Sequence, residues 1–231
     1  MIFWNGRSSD EFGLIVEAYP ARPVPRRKFT RVSVPGRSGD IVFPEDAFEN
    51  VNQPYDCYIS AERRGLPIAA NSLLNWLCAP GYQRLEDNYD PDIYRIAQYT
   101  GGVDIENTLN MFGRATISFD CQPQRWLKSG ELSKHFDAPL SLINPTGQPA
   151  KPLITVHGSG AGMLTVGRAT LSLMDCNGVV LDCGTENAYR GTANLNNTVS
   201  GDFPTLGAGQ TAISWTGGIT AVDIKPRWWS L

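Results

Sequence analysis

Histidine is nearly missing from this chain: His135 and His157 are the only two in 231 residues. Imidazole is the usual base near neutral pH, and a serine or cysteine nucleophile needs a base beside it, so nucleophilic catalysis has few places to sit. His135 falls in a presumed connection, and His157 ends a strand in the segment His157-Gly-Ser-Gly-Ala-Gly162. That segment has neither GxSxG nor GxGxxG spacing, and no helix follows whose N-terminus could hold a phosphate; it reads as a β-turn. A cationic excess is also lacking. With 20 Lys+Arg against 23 Asp+Glu and a net charge of -3, sequence-independent nucleic-acid binding is excluded as the main task, because it requires displacement of phosphate counterions. No run of about 18 apolar residues exists to span a membrane. The opening MIFWNGRSSDEF turns polar too early for a secretory signal, so synthesis in a cytoplasm is expected. Cys57, Cys78, Cys121, Cys176 and Cys183 are odd in number and contain no CxxC. They are expected to be small buried apolar residues rather than a disulfide frame.

What is present is a globular composition, 42% hydrophobic and 19% charged, on a chain between one large and two ordinary domains in length. Charge is uneven: residues 1–134 carry 15 Lys+Arg and 17 Asp+Glu, residues 135–231 only 5 and 6. The stretch Asn144-Pro-Thr-Gly-Gln-Pro-Ala-Lys-Pro152 precludes a helix and marks a connection. These signals place a boundary between Leu127 and Pro152 and divide the chain into residues 1–135 and 136–231. Ile117, Phe119 and Cys121 alternate with polar residues, as do Leu171 and Leu173, the period of half-buried strands. Short aliphatic runs at Leu153–Val156, Met163–Val166, Val179–Leu181 and Ile219–Ile224 are separated by Gly158-Ser-Gly160, Asn177-Gly178 and Gly217-Gly218. Asn-Gly between apolar runs predicts a hairpin. Leu66, Ala70, Leu73, Leu74 and Leu77 fall at helical spacing, with Pro67 early and Ala79-Pro80-Gly81 as a stop. The fold class is mainly β with one short helix, and residues 138–231 read as a β-sandwich.

No catalytic, cofactor or metal site emerges. Glu86, Asp87, Asp90 and Asp92 form the densest acidic group, but Pro91 interrupts it and no glycine supplies the tight turn of a calcium loop; a solvated loop is expected. Arg22, Arg26, Arg27, Lys28, Arg31 and Arg37 make a basic stretch, with Arg26, Arg27, Lys28 and Arg31 as candidates for an assembly interface. Trp215, Trp228 and Trp229 could stack on sugar rings, Trp215 and Trp228 being the named candidates of a carbohydrate-binding alternative.

The C-terminal stretch carries a resemblance. Asn194-Leu-Asn-Asn-Thr-Val-Ser-Gly-Asp-Phe-Pro-Thr-Leu-Gly-Ala-Gly-Gln210 precedes Thr216-Gly-Gly-Ile-Thr and Asp223-Ile-Lys-Pro-Arg-Trp-Trp229. This resembles the "gdFPxLxxGxNxI…G…PRW" ending of the distal tail protein (Dit) family of long, non-contractile-tailed phages (siphophages), with Gln210 where Asn is usual. Val34-Pro-Gly-Arg-Ser-Gly-Asp40 is similar to the family's "VPGRxGD" turn. Leu74-Asn-Trp76-Leu77 with Gly81-Tyr-Gln-Arg-Leu85 is similar to its helix-to-strand step, and Ile117-Ser-Phe-Asp-Cys-Gln-Pro123 to its "F-x-C-x-P" strand end. The resemblance implies an N-terminal ring-forming β domain and a C-terminal galectin-like β-sandwich. It implies a homohexameric ring at the distal end of a virion tail, between the tail-tube protein and the tail-tip hub protein, with a receptor-binding protein as a further partner. DNA would pass through the ring unread, and the chain would be no enzyme and would not enter a membrane.

Overall fold

The structure, a computed structural model, describes residues 1–60, 66–101, 106–108 and 112–231. It divides into two compact units, Met1–Arg125 together with Leu231, and Trp126–Ser230. Residues 126–135, which the charge distribution assigns to the first part, lie in the second unit.

The first unit contains β1 (Ile2–Trp4), β2 (Arg7–Ser8), β3 (Leu14–Val16), β4 (Arg27–Val32), β5 (Ile41–Phe48), β6 (Val51–Ser60), α1 (Leu66–Leu77), β7 (Gln83–Asp87), β8 (Ile93–Tyr99), β9 (Glu106–Thr108) and most of β10 (Phe112–Leu127). Its sheet runs β2-β1-β7-β8-β10-β6-β3. Alternation along β6 and β10 sends Tyr55, Cys57, Ile59, Ile117, Phe119 and Cys121 into one core, where Leu73, Trp76 and Leu77 of α1 meet them. The helical Leu spacing is therefore a core stripe, and Trp76 Nε1 donates to Trp4 O at 3.0 Å, so the indole is anchored as well as buried. Between β2 and β3 a single 3₁₀ turn is closed by a capping box of Ser8 and Glu11, and ends at Gly13 with φ 65. A Cβ at Gly13 would lie 2.4 Å from Ser60 O.

The second unit holds β11 (Lys134–Phe136), β12 (Leu140–Asn144), β13 (Leu153–Val166), β14 (Ala169–Leu173), β15 (Val179–Asp182), β16 (Asn187–Arg190), β17 (Ala193–Asn194), β18 (Val199–Gly201), β19 (Gly209–Lys225) and β20 (Trp229–Ser230). Its spine is the long antiparallel pair of β13 and β19, broken in register between His157 and Gly162. Before the break β13 pairs with β15, and after it with β14. On β19 the N-terminal half takes β12 and the C-terminal half takes β11. Two strand groups thus share one bent spine, and Ile154, Val156, Leu164, Val166, Leu171, Ile213, Val222 and Ile224 form the core between them.

Three expectations change here. Gly158-Ser-Gly160 and Gly217-Gly218 are not turns between short strands; they face each other at the bulge of two continuous strands. A Cβ at Gly158 would sit 2.0 Å from Gly218 O, and one at Gly218 1.9 Å from Ser159 O, so these glycines permit close backbone approach. Asn177-Gly178 turns the chain, with Gly178 at φ 66, but joins no hairpin: β14 and β15 each pair with β13 instead. Asn144–Pro152 is not a connection between units. Ala150 N and O bond Leu206 O and N at 2.9 and 2.8 Å, and Asn144, nearly fully buried, donates to Gln148 O and Leu206 O.

The Pro226-Arg-Trp228 ending has a structural task. Arg227 forks onto Asp182, with Nη1–Oδ1 2.6 Å and Nη2–Oδ2 3.1 Å, while Asp182 also caps Gly184 N at 2.9 Å. The hydrogen bond from Arg227 holds the Asp182 carboxyl below its ordinary range despite burial, and the same pairing raises Arg227. Removing one partner of such a bidentate pair leaves the other desolvated. Arg227→Ala is expected to cost about 3 kcal/mol, read as a melting point lowered by ~10 °C at neutral pH. A depressed carboxylate contributes stability above its unfolded pKa, about 3.9. That contribution is lost as pH falls through the lower folded value, so the gap between wild type and variant should close below about pH 4.

Candidate functional site

The basic stretch of residues 26–31 folds into a feature that composition did not reveal. Among the described residues β4 and β5 pair only with each other, as a two-stranded ribbon that joins neither large sheet. Their register sets Phe29 against Pro44, Thr30 against Phe43, Arg31 against Val42 and Val32 against Ile41. One face therefore carries Phe29, Arg31, Val42 and Pro44, the other Thr30, Val32, Ile41 and Phe43. Both faces are open: Phe29 is 45%, Val42 53% and Phe43 54% exposed. The Val34-Pro-Gly-Arg-Ser-Gly-Asp40 loop closes the tip, with Gly36 and Gly39 in the left-handed region, and Glu49 N donating to Arg26 O at 2.8 Å closes the base.

An isolated two-stranded ribbon is marginal in water, and its outer edges present unpaired backbone groups. Here it also exposes aromatic side chains on both faces. The Arg31 guanidinium lies 4.7 Å over the Phe29 ring and that of Arg27 5.1 Å over Phe48. Arg27 and Asp46 approach to 3.8 Å, with Asp46 fully exposed, a pairing worth little in solvent. The candidate cations Arg26, Arg27, Lys28 and Arg31 thus all sit on or beside one ribbon. The basic stretch runs into the strand that the sequence predicts over Phe29–Val34; the pairing strand, with Val42 and Phe43, is visible only in the structure, although apolar residues at successive positions Ile41-Val42-Phe43 break the alternation of a strand with one polar face.

Arg22 belongs elsewhere. It bonds Asp90 at 2.8 Å, and Arg125 bonds the same carboxylate oxygen. Asp87 accepts from Tyr55 Oη at 2.8 Å and from the backbone N–H groups of Tyr89 and Asp90 at 3.0 and 2.9 Å. Glu86 pairs with Arg84. Glu86, Asp87 and Asp90 are therefore paired with arginines and turn amides, the arrangement of a braced loop. Arg22, Glu86, Asp87, Asp90 and Arg125 line a cavity of about 140 Å³ with Arg95.

Trp228 is 5% exposed, inside the core of the second unit, and offers no face for a sugar ring. Trp215 packs partly against the same core. All five cysteines are free, and four are buried; Cys78, just beyond α1, is exposed against expectation. Burial pushes the Cys57, Cys121 and Cys183 thiols up to about 12, which leaves them protonated and inert.

The two histidines meet. His135 pairs with Asp223 across β11 and β19. His157 lies on β13 two residues beyond Thr155, the register partner of Asp223. His135 Nδ1 is 2.6 Å from Asp223 Oδ1 and His157 Nε2 2.7 Å from Oδ2. Burial pushes the Asp223 carboxyl up, but the two imidazole hydrogen bonds outweigh it and hold it below the ordinary range. His135, expected in a connection, is thus part of the second unit's sheet.

No protein-family model matches this chain, and no curated protein does. Among solved structures it is similar to the crystal structure of the SPP1 Dit (gp 19.1) protein, described as a paradigm of the hub adsorption apparatus in phages that infect Gram-positive bacteria. The likeness covers 96% of this chain and 97% of that one, with a TM-score of 0.76 and 14% sequence identity. At that identity the agreement is one of architecture: this chain is built on the fold of a Dit protein.

Proposed function

We propose that the protein is a structural component of a phage tail tip, in which six copies close into a ring that joins the tail tube to the tail-tip hub and leaves a channel for DNA. Its place is the distal end of the virion tail. The fold supports this reading, and one observation carries it: the ribbon of Arg27–Phe48 exposes apolar side chains on both faces and, among the described residues, joins no sheet that would cover them. A cyclic ring supplies what such a ribbon lacks, because its contacts are heterologous and each copy meets an unlike patch of the next. The second unit then stands as a galectin-like outer platform for the hub or a receptor-binding protein. Nothing in this arrangement asks for a catalytic group.

Light scattering with negative-stain microscopy tests the proposal. Purified protein, alone or with a tail-tube partner, is expected to give hexameric rings; a strict monomer at high concentration that stays monomeric beside tail partners would overturn it. Reversing charge at Arg26, Arg27 and Lys28 together should slow assembly and alter its salt dependence, with an unchanged melting point. Rim charges act mainly on association rate, so the expected loss of affinity is modest, about tenfold.

A further inference from the structure

We propose that His135, His157 and Asp223 form a binding site for a divalent transition metal of the zinc class. The two histidines of this chain lie 22 residues apart in sequence and on different strands, yet both reach one carboxylate on the strand between them. The candidate ligand atoms, one nitrogen from each imidazole and one carboxylate oxygen, all lie within 4.8 Å of one another. Bonds of 2.0–2.2 Å to a tetrahedral ion place ligand atoms about 3.3 Å apart. The two imidazole–carboxylate separations are 2.6 and 2.7 Å, and no pair of ligand atoms is further apart than 4.8 Å, so side-chain adjustments of an ångström or two bring the three donors to a common ion.

The chemistry of the donors selects the ion. Two imidazoles and one carboxylate suit zinc and its neighbours, whereas calcium and magnesium require a shell of oxygens. The sheet supplies preorganisation: β11, β19 and β13 are hydrogen-bonded neighbours, and their register holds all three side chains on one face. His135 is 63%, His157 40% and Asp223 31% exposed, which leaves the solvent side open for a water or an exchangeable fourth ligand. A bound ion would staple β11, a three-residue edge strand, to the spine of the sandwich.

Calorimetric titration of the untagged full chain with Zn²⁺ is the test, with Mg²⁺ and Ca²⁺ as separate arms. The expected result is saturable binding of about one Zn²⁺ per chain, a raised melting point because only the folded state holds the site, and no saturable binding of Mg²⁺ or Ca²⁺. His157→Gln and Asp223→Asn should each weaken Zn²⁺ binding by more than ~10-fold, while Asp137→Asn, an exposed carboxylate outside the set, should not. Circular dichroism checks that each variant is folded; were His157→Gln to unfold, the more exposed His135→Gln takes its place. Absence of saturable Zn²⁺ binding, or binding that survives loss of both histidines within about twofold, overturns the proposal. Co²⁺ provides a second readout: intense visible absorption in wild type alone supports a tetrahedral site, and equal spectra in wild type and the double histidine variant refute it.

Discussion

Gly218→Ala, a change of one carbon, is expected to abolish the native packing of the second unit. The added Cβ would fall 1.9 Å from Ser159 O and 3.1 Å from Ala161 O. Both are backbone atoms on the facing strand, so no side-chain rotation can relieve the clash. The strands would have to separate at the point where β13 and β19 shift register, and the core residues beyond the bulge, among them Leu164, Val166 and Ile213, would lose their alignment. The expected cost exceeds ~4 kcal/mol, at the far end of what single substitutions do, and should appear as insoluble expression or a melting point lowered by more than ~15 °C. Gly147→Ala is the control. It adds the same carbon in the same unit, but its Cβ meets nothing within 4 Å, so the melting point should stay within a few degrees. Equal stabilities for the two variants would show that the bulge does not hold the spine.

The second large effect concerns assembly. Phe29→Asp with Phe43→Asp is expected to leave the melting point of the monomer nearly unchanged, because both rings are about half exposed on a ribbon outside the main cores. Ring formation should fail. Desolvated aromatic anchors in an interface commonly contribute about 2 kcal/mol or more each, so the pair should weaken subunit association by ~10³-fold. This is far beyond the effect expected from charge reversal at Arg26, Arg27 and Lys28, and the contrast separates an apolar contact from electrostatic steering. Because Phe29 and Phe43 lie on opposite faces, the two single variants identify which face the neighbouring subunit covers. Rings of wild-type affinity from the double variant would remove the ribbon from the interface.

Much of the fold was legible from local pattern. Alternation identified the strand of Ile117, Phe119 and Cys121, and leucine spacing with the Pro and Gly flanks identified α1, because side-chain direction in a strand or helix depends only on near neighbours. The ordered motifs from Val34 to Trp229 also pointed to the architecture that the structure adopts. Residues whose partners are distant were read less well. Asn144–Pro152 looks like a connection by composition, yet Ala150 is held by Leu206 and the units divide at Arg125. Prolines report that a segment is no helix, and they are silent on what its backbone bonds to.

The sequence by itself determined that this is a β-rich, two-part protein with one short helix. Tertiary structure alone decided that Gly158 and Gly218 lie in a bulge, that Phe29 and Phe43 are uncovered, and that His135, His157 and Asp223 converge. The physical reason is common to all three: periodicity is written in neighbouring residues, whereas register is set by pairing between strands tens of residues apart, and a site assembled across strands exists only once that register is chosen.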